Sequence, residues 1–262
     1  MKIGVFDSGL GGLVITQAFI KALPDYDYLY LGDTAHLPYG EKTSGRILKY
    51  TLDSLRYFID SDCGLIIIAC NTATSIALRY IQQKFIPAYA PRVKVLGVVI
   101  PTVEAALAQP VSRVGVIATP ATIKSHIYAT ELHKIQPSVK VTEVATPQLV
   151  PLIESNNFQY MDNLVDDYLS NFDAIDSLIL GCTHYPLIKD YCRRRLPDVN
   201  IISQDELMGA KLADYLRCHP EIDSLLSRQG TRRFCVTSTS PSALAVASRL
   251  IPDIEVAEIS LD

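Results

Sequence analysis

Apolar residues fall along this chain in two alternating rhythms. Short unbroken apolar runs, rich in β-branched residues, occur at 3–6, 28–31, 65–69, 93–98, 114–118, 139–144, 177–180 and 199–202. Between them lie stretches in which apolar positions recur every three or four residues, at 13–23, 46–59, 74–85 and 123–135. The continuous runs predict strands buried on both faces, and the wider spacing predicts amphipathic helices. Strands alternating with helices predict an α/β fold with mainly parallel sheets sandwiched by helices.

One pattern occurs twice. Leu65-Ile66-Ile67-Ile68-Ala69-Cys70-Asn71-Thr72 resembles Ser177-Leu178-Ile179-Leu180-Gly181-Cys182-Thr183-His184. Each is a buried strand ending in a small residue, then Cys, then amide or hydroxyl residues, then a helical pattern. The repeat points to two similar α/β halves. Ligands of open α/β sheets sit beyond the carboxyl ends of the strands, so both cysteines stand where chemistry is expected. Two further polar loops share that position: Asp7-Ser8-Gly9-Leu10-Gly11-Gly12, and 32–40 with Pro38-Tyr39-Gly40 at its end.

Composition narrows the classes. The 262 residues are 48% hydrophobic and 20% charged, enough for one large or two modest domains. A net charge of −4 with scattered Lys and Arg gives no nucleic-acid footprint. No apolar run approaches the ~20 residues that cross a bilayer, and the N-terminal MKIGVFDSG meets Asp7 before any signal-peptide core could form. A cytoplasmic protein without a membrane partner is expected. Its six cysteines are then expected as reduced thiols, available for chemistry.

The glycines after strand 3–6 suggest a nucleotide site, but Val14 stands where the dinucleotide pattern needs a small residue, and Asp7 opposes a phosphate. Cys70 and Cys182 each precede a predicted helix, whose positive end favours thiolate. Asn71, Thr72 and Thr183 offer donors for a carboxylate at those helix ends, and His184 can exchange a proton with the Cys182 thiol. Buried packing is the ordinary role of Cys and serves for Cys63, Cys192, Cys218 and Cys235. It leaves the polar neighbours of Cys70 and Cys182 unexplained. No metal-ligand spacing surrounds the pair, so no metal is expected. A cysteine hydrolase needs only one thiol. Inversion at a Cα carbon uses two: one thiolate removes the proton from one face, and one thiol delivers a proton to the other. No phosphate cup or Schiff-base lysine is evident, so no cofactor is expected.

Four segments together resemble the signature segments of bacterial glutamate racemases: 7–12, 32–40, Ala69-Cys70-Asn71-Thr72-Ala73-Thr74, and Gly181-Cys182-Thr183-His184-Tyr185-Pro186-Leu187. The similarity runs from about Lys2 to Leu216. It implies cofactor-free interconversion of L- and D-glutamate for peptidoglycan synthesis, in a cleft between two α/β domains. The implied domains are 1–96 with 207–262, and 97–206. Cys70 is implied as the base facing the D-enantiomer and Cys182 as the base facing the L-enantiomer. Asp7 is implied to assist Cys70, and His184 and Glu154 to assist Cys182. Asp7, Ser8, Asn71, Thr72 and Thr183 would hold the amino and α-carboxylate groups. Pro38, Tyr39, Gly40 and Thr119 would hold the side-chain carboxylate. By the same resemblance a homodimer is expected.

Three departures from the family pattern stand out. His36 replaces a frequent Arg beside the side-chain pocket, Pro101-Thr102 replaces Pro-Gly in the loop after Ile100, and Ser203-Gln204-Asp205-Glu206 replaces Asp-Ser-Gly. An aspartate or broad-specificity racemase, and a non-catalytic binder of acidic ligands, stay open on the sequence.

Overall fold

The computed structural model describes residues 1–155, 157–239, 246–248, 250–251 and 254–261. The 207–262 stretch assigned to the first domain therefore includes residues outside the described set.

Two parallel sheets organise the chain. The first has the order β10-β9-β2-β1-β3-β4, built from Lys2–Asp7 (β1), Tyr28–Gly32 (β2), Cys63–Ile68 (β3), Lys94–Gly97 (β4), Arg232–Val236 (β9) and Val256–Glu258 (β10). The second has the order β6-β5-β7-β8, from Arg113–Ala118 (β5), Lys140–Ala145 (β6), Ser177–Gly181 (β7) and Asn200–Ile202 (β8). Every pairing is parallel, with registers such as Val5↔Tyr30 and Ala118↔Gly181. The interior strands β3 and β7 are buried along their whole length, which is why they read as unbroken apolar runs.

All eight predicted strands form. β9 and β10 come in addition, and they add the sequence's late segment to the first sheet. The helix predicted at 74–85 begins earlier, at Asn71: α3 spans Asn71–Tyr80, capped by Cys70, and continues through a π-helical turn at Ile81–Phe85. The helix predicted at 123–135 is two helices, Pro120–Ser125 and Ile127–Ile135, separated by His126 in the left-handed conformation at φ 51°. Pro101-Thr102 is not in a loop. It lies inside the Val99–Ala106 helix, where Pro101 falls in the first turn and needs no N–H partner.

Two helical segments carry the chain between the sheets: Val99–Ala106 outward, and Gln204–Cys218 on the return. The return helix packs along α1, Gly12–Ala22. At Gly209 a Cβ would lie 2.6 Å from the backbone oxygen of Ala18, so only glycine permits this approach.

Candidate active site

The carboxyl ends of β1, β3, β5 and β7 converge on one cleft. It is lined by Ser8, Pro38, Tyr39, Gly40, Cys70, Asn71, Thr72, Thr119, Cys182, Thr183 and His184. Every side chain expected to bind substrate is there except Asp7, which lies directly behind. Leu37, Thr146, Pro147, Val150 and Pro151 line it too, without having been expected.

Asp7, the last residue of β1, is fully buried. Its Oδ2 accepts the backbone N–H of Gly12 at 2.9 Å and of Gly9 at 3.3 Å, and the Thr183 hydroxyl donates from the second domain to Oδ1 at 3.3 Å. The anion held at the start of α1 is thus the protein's own carboxylate. Burial raises the Asp7 pKa, opposed by His184 and these donors. The glycines do not open the helix end to a ligand: a Cβ on Gly11 would lie 2.6 Å from Thr183 Oγ1 and 2.7 Å from His184 Nδ1. Its missing side chain makes room for the opposite domain.

Cys70 is the N-cap of α3, its sulfur accepting the Ala73 N–H at 3.4 Å while its S–H donates to Ser8 Oγ at 3.3 Å. The helix end therefore points at the thiol, as the sequence predicts. The expected shift toward thiolate does not follow. Burial, reinforced by the Asp7 charge, pushes the Cys70 pKa up to about 12, and the cap and Ser8 only partly oppose it. The direct neighbour of Cys70 is Ser8; Asp7 acts on it through charge.

Cys182 is followed by the 3₁₀ turn Tyr185–Ile188, which runs straight into the Lys189–Arg195 helix, so unlike Cys70 it caps no α-helix. Its partner is a side chain: His184 Nδ1 lies 3.9 Å from the sulfur. His184 Nε2 faces Glu154 Oε1 at 3.0 Å, an ion-pair contact outside hydrogen-bond alignment, and neither atom has another partner among the described residues. Burial disfavours the imidazolium, yet Cys182 and Glu154 outweigh it and hold the His184 pKa well above its usual range. Sulfur, imidazole and carboxylate thus form a relay leading away from the cleft.

Around the rest of the cleft the two domains touch through hydroxyls. Thr72 meets Thr119 at 2.8 Å and Thr122 at 3.2 Å, while Thr119 accepts the Thr122 N–H and caps the Pro120–Ser125 helix. Tyr39 donates to buried Asp33 at 2.6 Å, which also accepts from Thr237 on the β9 side and pairs with His36 at 2.9 Å. His36 thus buttresses the 38–40 loop without lining the cleft. Thr122 and Thr146 carried no sequence signal, because Thr72 and Tyr185, which they meet, lie 50 and 39 residues away; Asp33 lies in the polar 32–40 loop, and only its bond from Thr237 needed the fold. Among the described residues no group of three or more His, Cys, Asp or Glu is arranged to hold a metal ion.

Two α/β domains each place a buried cysteine just past the end of a strand, and the two thiols line one cleft. Residues 14–207 match the family model for Asp/Glu/hydantoin racemases, and the chain belongs to that family. A glutamate racemase from Streptococcus mutans is 34% identical over 99% of this chain and 98% of its own. The Francisella tularensis glutamate racemase, solved in complex with D-glutamate, superposes with a TM-score of 0.88 at 35% identity, covering 100% of this chain and 98% of that one. A Bacillus anthracis glutamate racemase isoform also reaches 0.88, at 30% identity over 100% and 97% of the two chains.

Proposed function

We propose that this protein interconverts L- and D-glutamate by a two-thiol mechanism, without a cofactor, and supplies D-glutamate for peptidoglycan. The observation that carries the reading is the pair of buried cysteines, Cys70 and Cys182, at equivalent strand ends of two sheets and lining one cleft. One thiolate takes the Cα proton, leaving a carbanion whose electron pair spreads into the α-carboxylate. The opposite thiol then gives its proton to the other face and becomes the new thiolate.

With its pKa pushed up to about 12, the Cys70 thiol is held as thiol at neutral pH. A substrate ammonium entering beside Asp7 and Ser8 brings the positive charge that favours the thiolate. Asn71, Thr72 and Thr183 serve the α-carboxylate, and Pro38–Gly40 with Thr119 the distal one. Cys70 is assigned to the D-enantiomer, and Cys182, with His184 and Glu154 behind it, to the L-enantiomer. Working thiols suit a reducing cytoplasm. No described helix is long and apolar enough to cross a membrane. We place the domain crossings near 96/97 and 206/207 and the working form as a homodimer, which light scattering tests.

The decisive experiment follows optical rotation and Cα–deuterium uptake in D₂O, from each enantiomer of glutamate and of aspartate. The expected result is exchange and racemisation of glutamate; Cys70→Ser and Cys182→Ser each abolish racemisation and leave exchange from at most one enantiomer. Wild-type rates in either variant overturn the two-thiol mechanism. Exchange of aspartate at equal kcat/KM reassigns the substrate, and no exchange at all leaves a binding protein.

A further inference from the structure

Two of the three departures from the racemase pattern touch each other. Gln204, the first residue of the return helix, is fully buried, as are Thr102 on the outward helix and Tyr128; Asn71 is 2% exposed. The Gln204 and Asn71 carboxamides pair face to face: Asn71 Nδ2 donates to Gln204 Oε1, and Gln204 Nε2 donates to Asn71 Oδ1, both at 2.9 Å. Gln204 Nε2 also donates to Thr102 Oγ1 at 3.1 Å, and Tyr128 OH to Asn71 Oδ1 at 2.6 Å.

A paired-amide contact has no direction of its own, since both groups can turn over together. Thr102 supplies the direction. Its hydroxyl proton goes to the Val98 carbonyl at 2.7 Å, so its oxygen can only accept from Gln204. The Gln204 nitrogen must then face Thr102 and Asn71 Oδ1, and its oxygen must face Asn71 Nδ2. Both lone pairs of Asn71 Oδ1 are engaged, by Gln204 and Tyr128. One N–H of Asn71 Nδ2 is left over, on a residue that lines the cleft directly after Cys70.

We propose that Gln204, directed by Thr102, is a positioning residue of the active site: it holds the Asn71 carboxamide with its nitrogen as the donor toward the cleft, ready for the substrate α-carboxylate. Gln204 touches neither substrate nor thiol. It acts through Asn71, and because it opens the helix on which the chain returns to the first sheet, it ties that donor to the crossing. A buried network with every group but that one N–H engaged fixes one geometry. The proposal rests on the racemase reading only for the identity of the ligand.

The test compares wild type with Gln204→Leu, Gln204→Glu and Thr102→Val, measuring KM and kcat from both enantiomers and the Kd of D-glutamate by calorimetry. Gln204→Leu is expected to raise KM and Kd on the order of tenfold, the scale of one lost hydrogen bond to a charged group, with kcat changed far less. Thr102→Val is expected to raise them by a smaller factor. Gln204→Glu carries the sharpest signature. Its protonated carboxyl keeps the pairing with Asn71, one O–H donating to Oδ1 and the carbonyl accepting from Nδ2, and lacks only the second donation, to Thr102, so KM at low pH stays within the factor expected for Thr102→Val. It then climbs as the carboxyl ionises. A merely structural residue lowers thermal stability without that pH-dependent KM.

KM and Kd within twofold of wild type in Gln204→Glu across the pH range overturn the proposal. That variant decides alone if Gln204→Leu does not fold. Wild type that binds D-glutamate but does not racemise it sinks the enzymatic reading and leaves the positioning claim to the Kd values. Wild type that neither binds nor exchanges sinks both.

Discussion

At the scale of single residues the two thiols are chemically alike and differently supported. Cys70 has a serine hydroxyl and a helix N–H; Cys182 has an imidazole backed by a carboxylate. Enantiomers have equal free energies, so kcat/KM from L- and D-glutamate must stay equal in every variant, whatever the support. The inequality shows instead in which proton transfer limits each direction. Glu154→Gln weakens the imidazolium behind Cys182, and its Cα–deuterium isotope effect is expected to grow more from L-glutamate than from D-glutamate. Equal growth from both sides contradicts the assignment of Glu154 to Cys182 alone. The Cys70 pKa near 12 makes a second prediction. Without substrate, its alkylation by iodoacetamide should rise about tenfold per pH unit from neutral pH toward 12, and Cys70→Ser removes the labelled peptide.

Elements were readable where burial is uniform and opaque where it is not. β3 and β7 announced themselves as apolar runs, and with them the two cysteines at their ends. β9 opens with Arg232 and Arg233, both exposed, and β10 is three residues long. Neither offers a period to detect; β9 is held by β2, about 200 residues away in sequence, and β10 in turn only by β9. The break at His126 was invisible because apolar spacing continues through it. The binding loops were legible as polar residues at strand ends; Gln204, Thr102 and Thr122 were not, since only the fold brings their partners close. Glycines that permit close approach give predictions at this scale. Gly11→Ala thrusts a methyl group against Thr183 and His184 and is expected to cut racemisation at least a hundredfold while the protein stays folded by circular dichroism. Gly209→Leu wedges α1 away from the return helix and is expected to cost ~1–3 kcal/mol in urea denaturation.

For the molecule as a whole, its buried thiols set the alkaline limit of stability. Burial pushes Cys63, Cys70 and Cys192 each up to about 12 from an ordinary value of 9. Between those values the unfolded chain has released the three protons and the native state still holds them. Stability is therefore full below pH 9 and falls as pH rises toward 12, by about 1.4 kcal/mol per unit for each thiol. Buried tyrosines such as Tyr28 and Tyr128, also raised, add in the same direction. Urea midpoints measured from pH 8 to 11 should decline steadily, and Cys192→Ala should remove one thiol's share of the slope. A flat profile contradicts the burial account.

The late pairing of β9 with β2 also bears on how the protein is made. Tyr28–Gly32 bonds on one side to β1 and on the other to Arg232–Val236. During synthesis at ~5–20 residues per second, that second edge stays open for ~10–40 s while the intervening chain emerges. The four strands of the other sheet, contained within 113–202, are all out before the first sheet can close. The nascent chain thus carries a bare, apolar strand edge through most of its translation, the kind of surface on which chains mispair. Stalled or prematurely terminated products ending before residue 232 should be the ones that aggregate and engage chaperones.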